Sequence, residues 1–211
     1  TAFWLKSDEL MAERRKLLKE DQFLFTEVLL EPVLPYDSKV DMAEVTSELG
    51  IDPAVGALVG EALFGEFRES PNDPIKLREH QAEALRQSFQ DGTAEGRNVV
   101  VTSGTGSGKT ESFLLPLLTR LVRESLSWDP DGSVNEWWEN PSLPFSGSRL
   151  PSRPAAMRSM ILYPTNALVE DQISRLRKAL RSLTSNGGRQ LWFGRYTGAT
   201  LGNGPVTQNN L

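Results

Sequence analysis

The stretch of sequence that decides the fold is VVVTSGTGSGKT, residues 99–110, followed by a helical run to Thr119. A short β-branched run leads into a glycine-rich loop, and apolar residues at helical spacing come after it. Glycines allow the backbone to curl tightly, so that successive N–H groups converge on one anion. The helix that follows adds the positive end of its dipole. The sequence therefore predicts a strand–loop–helix cradle for phosphate groups.

Individual residues of this loop have separate expected roles. Lys109 is a mobile positive charge for the β- and γ-phosphates of ATP, and the Thr110 hydroxyl is the expected ligand of Mg²⁺. These two residues are the catalytic candidates. Ser103 stands where the strict pattern has glycine, a position that needs only a small side chain. We predict that the phosphates contact the whole loop: Ser103, Gly104, Thr105, Gly106, Ser107, Gly108, Lys109 and Thr110.

Helices and strands are predicted to alternate from Pro74 onward. The pattern gives strands at 98–102, 159–163 and 191–196 and helices at 77–89, 111–125 and 166–183. Because the strands are apolar on both faces, they indicate a parallel sheet covered by helices. We expect an incomplete α/β domain over residues 73–211, with an insertion at about 127–156 that contains Trp137 and Trp138.

The region before this domain is predicted to be a small helical segment, residues 1–72. Met42, Val45 and Leu49 have helical spacing, and Pro53 suits the first turn of a further helix. Such a segment is expected to pack on the larger domain.

Composition narrows the class of protein. The chain has 211 residues, no cysteine and a formal net charge of −5. Disulfides and cysteine-ligated metals are excluded, which suits a cytoplasmic protein. Apolar runs are too short for a membrane span. If nucleic acid binds to an acidic chain, its contacts must be local.

The helix after the loop carries a resemblance to a known family. Residues 110–118, TESFLLPLL, resemble motif I and its helix in superfamily 2 helicases of the DEAD/DEAH-box type, which often have a proline at the position of Pro116. The resemblance implies a RecA-like motor domain, ATP and Mg²⁺ as cofactors, and ATP-dependent helicase or translocase activity. This segment would be the N-terminal part of the first motor domain.

Upstream of the loop, LREHQAEAL at residues 77–85 resembles the segment whose glutamine reads adenine in these helicases. A glutamine amide has one donor and one acceptor side, which matches the adenine edge. The resemblance therefore implies that Gln81 binds the base. His80, the single histidine, is expected to orient its neighbours or to lie at the surface.

Downstream, ILYPTNALVEDQ at residues 161–172 resembles motif Ia, which binds the nucleic-acid backbone. The resemblance makes Pro164, Thr165 and Asn166 candidates for phosphate contacts, with Thr165 as a helix N-cap. The interval from Pro164 and Thr165 to Gln172 is longer than the corresponding interval in DEAD-box helicases. It is closer to that of Lhr-like and MrfA-like DNA helicases.

Two weaker signals follow motif Ia. YTGAT at residues 196–200 resembles the next backbone-binding loop, which makes Gly198 and Thr200 candidates for nucleic-acid contacts. The predicted helix 166–183 also has a basic side: Arg175, Arg177, Lys178 and Arg181.

The acidic strand-end motif that holds Mg²⁺ and orients water in this family does not occur downstream of the loop. We expect it beyond Leu211, so this segment alone should bind ATP weakly and hydrolyse it poorly. The leading hypothesis is a DNA helicase, with phage-defence helicases of the DISARM and Druantia type as analogues. The alternatives are a restriction-type translocase without unwinding, and a truncated motor fold that docks a partner at Trp137 and Trp138. The expected partners are DNA (or RNA) and the remainder of the motor.

Overall fold

The computed structural model describes residues 7–20, 36–90, 98–104, 106–128, 139–140, 142, 156–198 and 200. The chain divides into two units, Thr1–Pro35 and Tyr36–Leu211. Helix α1, Asp8–Leu17, belongs to the first unit, and the side chain of Ser7 caps it. The other helices and strands of the described residues belong to the second unit.

A short antiparallel sheet joins two distant parts of the second unit. Strand β1, Ser38–Asp41, pairs with strand β2, Lys76–Arg78. Asp41 lies opposite Lys76, whose ammonium group donates a hydrogen bond to its carboxylate at 2.9 Å and lowers the pKa of that carboxyl. Neither strand was predicted, because strands this short have no recognisable periodicity and their pairing is not local in sequence.

Aspartates begin the next two helices. Asp41 caps helix α2, Met42–Glu48, and Asp52 caps helix α3, Pro53–Phe64. Each carboxylate accepts a hydrogen bond from the amide two residues later, at 2.9 and 2.7 Å respectively. A 3₁₀ helix, Gly65–Phe67, follows α3. The helical character of this region and the first-turn position of Pro53 are confirmed.

Three longer helices complete the second unit: α4, Glu79–Phe89; α5, Lys109–Ser125; and α6, Asn166–Ser185. They match the predicted helices closely at both ends. Helix α5 continues through Pro116, which is buried. No helix in the described part of the chain has the length and apolar character that a membrane span requires.

One hydrophobic core holds the helices of the second unit together. Helix α3 packs against α2, α5 and α6, and α4 packs against α5. The buried apolar side chains of this core are Met42, Val45, Ile51, Val55, Val59, Phe64, Leu77, Ala82, Leu85, Leu115, Leu118, Val122, Ala179 and Leu183. Elements on both sides of the boundary expected at residue 72 therefore share a core.

The three predicted parallel strands are not strands in the structure. Segments 98–102, 159–163 and 191–196 are described, but none of them forms a ladder. Val100 is 85% exposed and Leu162 is 81% exposed. A central strand needs hydrogen-bond partners on both edges as well as helices on its faces. The described residues supply helices without those partners, so the structure does not confirm the parallel sheet.

The two ends of the predicted insertion lie against each other. The guanidinium carbon of Arg158 lies 5.3 Å from the centroid of the Trp128 ring, and Trp128 is buried. The Nε of Arg158 donates a hydrogen bond to Glu124 in α5 at 2.5 Å. The chain therefore leaves and rejoins the domain at one place. Trp137 and Trp138, the predicted partner site, lie outside the described residues.

Candidate functional site

The glycine-rich loop leads directly into helix α5, and Gly108 is the N-cap of that helix. Gly106 and Gly108 have φ values of 73° and 80°, in the left-handed region that favours glycine. A Cβ added at Gly108 would lie 2.5 Å from the side-chain nitrogen of Gln81. The unpaired N–H groups of the first turn of α5 lie at this end of the helix.

Hydrogen bonds within the loop fold it onto itself. The Lys109 ammonium donates to the carbonyl oxygens of Ser103 and Gly104, at 2.8 and 2.6 Å. The hydroxyl oxygens of Ser103 and Ser107 are 2.5 Å apart, and Ser107 is buried. Thr110 is the second residue of α5 and is half-buried. Thr105 lies outside the described residues.

Helix α4 begins against this loop. The Gln81 side-chain nitrogen donates to the carbonyl of Gly108 at 3.3 Å, and its oxygen accepts from the backbone N–H of Arg78 at 3.0 Å. Arg78 in turn donates from its guanidinium to the carbonyl of Gly106 at 2.8 Å. Gln81 is 4% exposed. The structure thus places Gln81 beside the loop, with both sides of its amide engaged by protein groups.

Tyr36 also contacts the loop. Its hydroxyl oxygen accepts a hydrogen bond from the N–H of Gly104 at 3.1 Å. Arg78 lies 5.4 Å from the centroid of its ring, and His80 makes an edge-on contact at 6.1 Å. No motif or periodicity pointed to Tyr36, which lies 68 residues before Gly104 in the chain. Arg78 could have been identified from the sequence, because it lies three residues before the predicted Gln81.

An open cavity of about 570 Å³ adjoins the loop. Gly106, Gly108 and Gln81 line it together with residues around the end of α3, including Phe67. Phe67 is 70% exposed, so its ring is available to a ligand. The remaining lining residues are Ser38, Phe64, Arg68, Glu69, Asp73, Pro74, Ile75, Lys76, Arg78, Glu111 and Arg175.

These features fit a nucleotide polyphosphate. The N-terminal end of α5 is a ready anion site, and a glycine at φ 80° keeps side-chain atoms away from it. Lys109 is exposed and supplies positive charge, while the Thr110 hydroxyl has the hard oxygen that Mg²⁺ prefers. The exposed ring of Phe67, which lines the same cavity as Gln81, is a suitable surface for a base. Gln81, Gly106 and Gly108, three of the residues predicted for ATP, line this cavity, and Lys109 and Thr110 follow Gly108 in the chain.

The predicted nucleic-acid residues lie on two exposed turns. Pro164, Thr165 and Asn166 are exposed at the start of α6, where the Thr165 hydroxyl accepts a hydrogen bond from the amide of Leu168 at 3.5 Å. Gly198 and Thr200 are exposed, and the Thr200 hydroxyl accepts from the N–H of Thr197 at 2.8 Å. Thr165 is thus the helix cap that its sequence position predicted.

Ion pairs occupy part of the basic side of α6. Arg175 lies 3.2 Å from Glu111 in the first turn of α5, and Lys178 pairs with Glu66. Arg177 and Arg181 are exposed and have no ion pair among the described residues. The free positive charge of this helix is therefore smaller than its sequence indicates.

Tyr163 precedes the Pro-Thr turn at the start of α6. Burial raises the pKa of its hydroxyl, the positive charge of Arg175 acts to lower it, and the negative charge of Asp171 acts to raise it. Tyr163 is therefore neutral at physiological pH, since its ordinary value is already near 10.

A family model for the DEAD/DEAH box helicase matches residues 78–196 of the chain. The matched region starts at Arg78 and includes Gln81, the glycine-rich loop, α5 and α6. No solved structure matches the chain.

Curated relatives agree with this match. Druantia protein DruE of Escherichia coli (strain UMEA 4076-1) is 30% identical over 210 residues, which are 94% of this chain and 9% of DruE. ATP-dependent RNA helicase HCA4 of Saccharomyces cerevisiae is 34% identical over 120 residues, 56% of this chain and 14% of HCA4. DEAD-box ATP-dependent RNA helicase 13 of Oryza sativa subsp. japonica is 26% identical, with 61% of this chain and 15% of that protein covered.

The chain thus spans only a small part of the length of these relatives. The family model, in contrast, covers more than half of the chain. Of the residues that contact the glycine-rich loop, Gln81 and Arg78 lie within the matched region and Tyr36 lies before it. The fold that this family implies is of the RecA-like α/β class. The chain belongs to the DEAD/DEAH box helicase family of superfamily 2.

Proposed function

We propose that this chain is the nucleotide-binding part of an ATP-dependent nucleic-acid helicase or translocase, and that it acts within a longer protein. The observation that carries the proposal is the glycine-rich loop, whose left-handed Gly108 caps α5 and lines an open cavity and is followed directly by the exposed Lys109. Membership of a helicase family supports the same reading.

Within this proposal, the loop residues 103–110 hold the phosphates through backbone N–H groups and Lys109. Thr110 holds Mg²⁺, which when bound neutralises phosphate charge. Gln81 binds the adenine edge after its amide releases Gly108 and Arg78, and Phe67 offers a ring for stacking.

The proposed nucleic-acid surface is the N-terminal end of α6 and the turn at 197–200. Pro164, Thr165 and Asn166 are exposed there, and free helix amides suit a phosphodiester oxygen. Exposed Arg177 and Arg181 add positive charge along the same helix. We propose DNA as the substrate, on the motif Ia spacing that resembles Lhr-like and MrfA-like DNA helicases.

We also propose that segments 98–102, 159–163 and 191–196 become strands of a parallel sheet in the complete motor. The resemblance to DruE over 94% of the chain supports a role in cytoplasmic antiviral defence, by analogy with the Druantia helicases.

The test is nucleotide binding by the 211-residue chain and its Lys109→Ala variant, measured with a fluorescent ATP analogue and Mg²⁺. Removal of a charged hydrogen-bond donor should weaken binding by about ten- to a hundredfold. Lys39→Ala is the matched control, because Lys39 is exposed and pairs with the neighbouring Asp37. Equal affinity of Lys109→Ala and wild type would contradict the proposal.

The same proteins test the expectation that the catalytic carboxylates lie elsewhere. The 211-residue chain should show no steady-state ATP turnover. Turnover that disappears in Lys109→Ala would show that this segment already holds its own water-orienting group.

A further inference from the structure

We propose that Tyr36 competes with the phosphates of the nucleotide for the backbone of the glycine-rich loop, a role that rests on the nucleotide-binding function proposed above. The Tyr36 hydroxyl accepts the hydrogen bond of the Gly104 N–H at 3.1 Å. A Cβ added at Gly104 would lie only 2.4 Å from the same hydroxyl oxygen. The side chain of Tyr36 thus covers the backbone of one residue that is expected to meet a phosphate.

An N–H group in good geometry donates one hydrogen bond. The Gly104 N–H therefore serves either the Tyr36 hydroxyl or a phosphate oxygen. The nucleotide must exchange one bond for the other, and the internal bond subtracts from its affinity.

Neighbouring residues hold Tyr36 in this position. Arg78 lies 5.4 Å from the centroid of the ring and also donates to the carbonyl of Gly106 in the loop. His80 contacts the ring edge-on at 6.1 Å, and its buried Nε2 has no hydrogen-bond partner among the described residues. The ring is thus supported by two side chains from the β2–α4 junction, which itself contacts the loop.

The rest of the loop agrees with a closed arrangement. Lys109 donates to the carbonyl oxygens of Ser103 and Gly104, so its ammonium group is also engaged within the loop. Gln81 holds the carbonyl of Gly108. Opening the loop for a polyphosphate breaks the hydrogen bond between the Gly104 N–H and the Tyr36 hydroxyl. A ligand without phosphate does not require this step.

The experiment compares the 211-residue chain with its Tyr36→Phe variant, which removes one oxygen and keeps the ring that contacts Arg78 and His80. The dissociation constants of ATP, ADP and adenosine are measured by calorimetry with Mg²⁺. Loss of the internal hydrogen bond should tighten ATP and ADP binding by about two- to tenfold. Adenosine binding should not change. Tyr196→Phe is the matched control, because Tyr196 is exposed and lies far along the chain from the loop.

The outcomes separate the two proposals. Tighter ATP and ADP binding in Tyr36→Phe alone supports competition. Unchanged or weaker ATP binding in Tyr36→Phe, together with normal loss in Lys109→Ala, overturns the competition and leaves nucleotide binding standing. A tightening that includes adenosine also overturns it, because the effect would then not concern phosphate. No ATP binding by wild type overturns the proposed function and this inference with it.

Discussion

At the residue scale, Gly108 is the position where the loop, α4 and α5 meet. Its φ of 80° turns the chain into α5, and its carbonyl accepts hydrogen bonds from the side chains of Gln81 and Ser112. Gly106 has a similar φ of 73°, but a Cβ there would meet no atom within 4 Å. The two glycines therefore share a backbone conformation and differ in their surroundings.

This difference gives a prediction for two single substitutions. Gly106→Ala should lower the free energy of unfolding by about 1–2 kcal/mol, the cost of a left-handed residue with a side chain. Gly108→Ala should cost about 1 kcal/mol more, because its Cβ displaces the Gln81 amide from a hydrogen bond. Urea denaturation measures both. Equal losses would show that the Gln81 contact does not stabilise the loop.

At the scale of elements, α6 has two chemically different ends and a buried face. Ile173, Ala179 and Leu183 are buried, whereas the first turn, with Thr165 and Asn166, is exposed. The N-terminal end carries unpaired N–H groups and the positive end of the dipole. The phosphodiester backbone of a nucleic acid is therefore expected to contact the N-terminal end of α6 rather than its C-terminal end.

Two threonines of α6 test this expectation. Thr165→Ala should weaken binding of a single-stranded DNA oligonucleotide by about threefold or more, through loss of a hydroxyl at the phosphate-facing end. Thr184→Ala is the control, since Thr184 is exposed in the last turn and donates only to the Leu180 carbonyl, at 3.1 Å. Fluorescence anisotropy at fixed salt gives both affinities. A similar loss in both variants would indicate a general change in the helix, and no loss in Thr165→Ala would place the nucleic acid elsewhere.

At the scale of the whole molecule, apolar residues divide into two groups. One group forms the helical core around α3, with Leu118 only 1% exposed. The other lies in segments predicted as buried strands, with Leu162 81% exposed. The same residue type thus has opposite surroundings in the two groups.

A pair of leucine substitutions distinguishes the structure from the sequence-based expectation. Leu118→Ala should lower the stability of the 211-residue chain by about 2–5 kcal/mol, because it leaves a cavity in the core. Leu162→Ala should change it by no more than about 0.5 kcal/mol. Thermal and urea unfolding measure both. A loss in Leu162→Ala as large as in Leu118→Ala would mean that residues 159–163 are a buried strand in this chain as well.

The features of the site that could be predicted from the sequence are those formed by residues close to one another in the chain. The glycines, Lys109 and the apolar spacing of α5 lie within one short stretch, and Thr165 caps the helix that it directly precedes. Such features depend on neighbours in the chain, so motif and periodicity identify them. The resemblance implied adenine binding by Gln81, which stays a prediction, and the two hydrogen bonds of Gln81 to protein groups near the loop were not foreseen.

The sequence by itself determined the glycine-rich loop, the approximate limits of the three long helices and the helicase family resemblance. Only the tertiary structure decided that β1 pairs with β2, that Tyr36 covers Gly104, and that Leu162 is exposed. The reason is physical: a helix closes its hydrogen bonds within a few residues, whereas a strand or a cross-chain contact depends on a partner far away in sequence. Residues 98–102 have the composition of a strand, and they have no strand partner in the part of the chain that the structure describes.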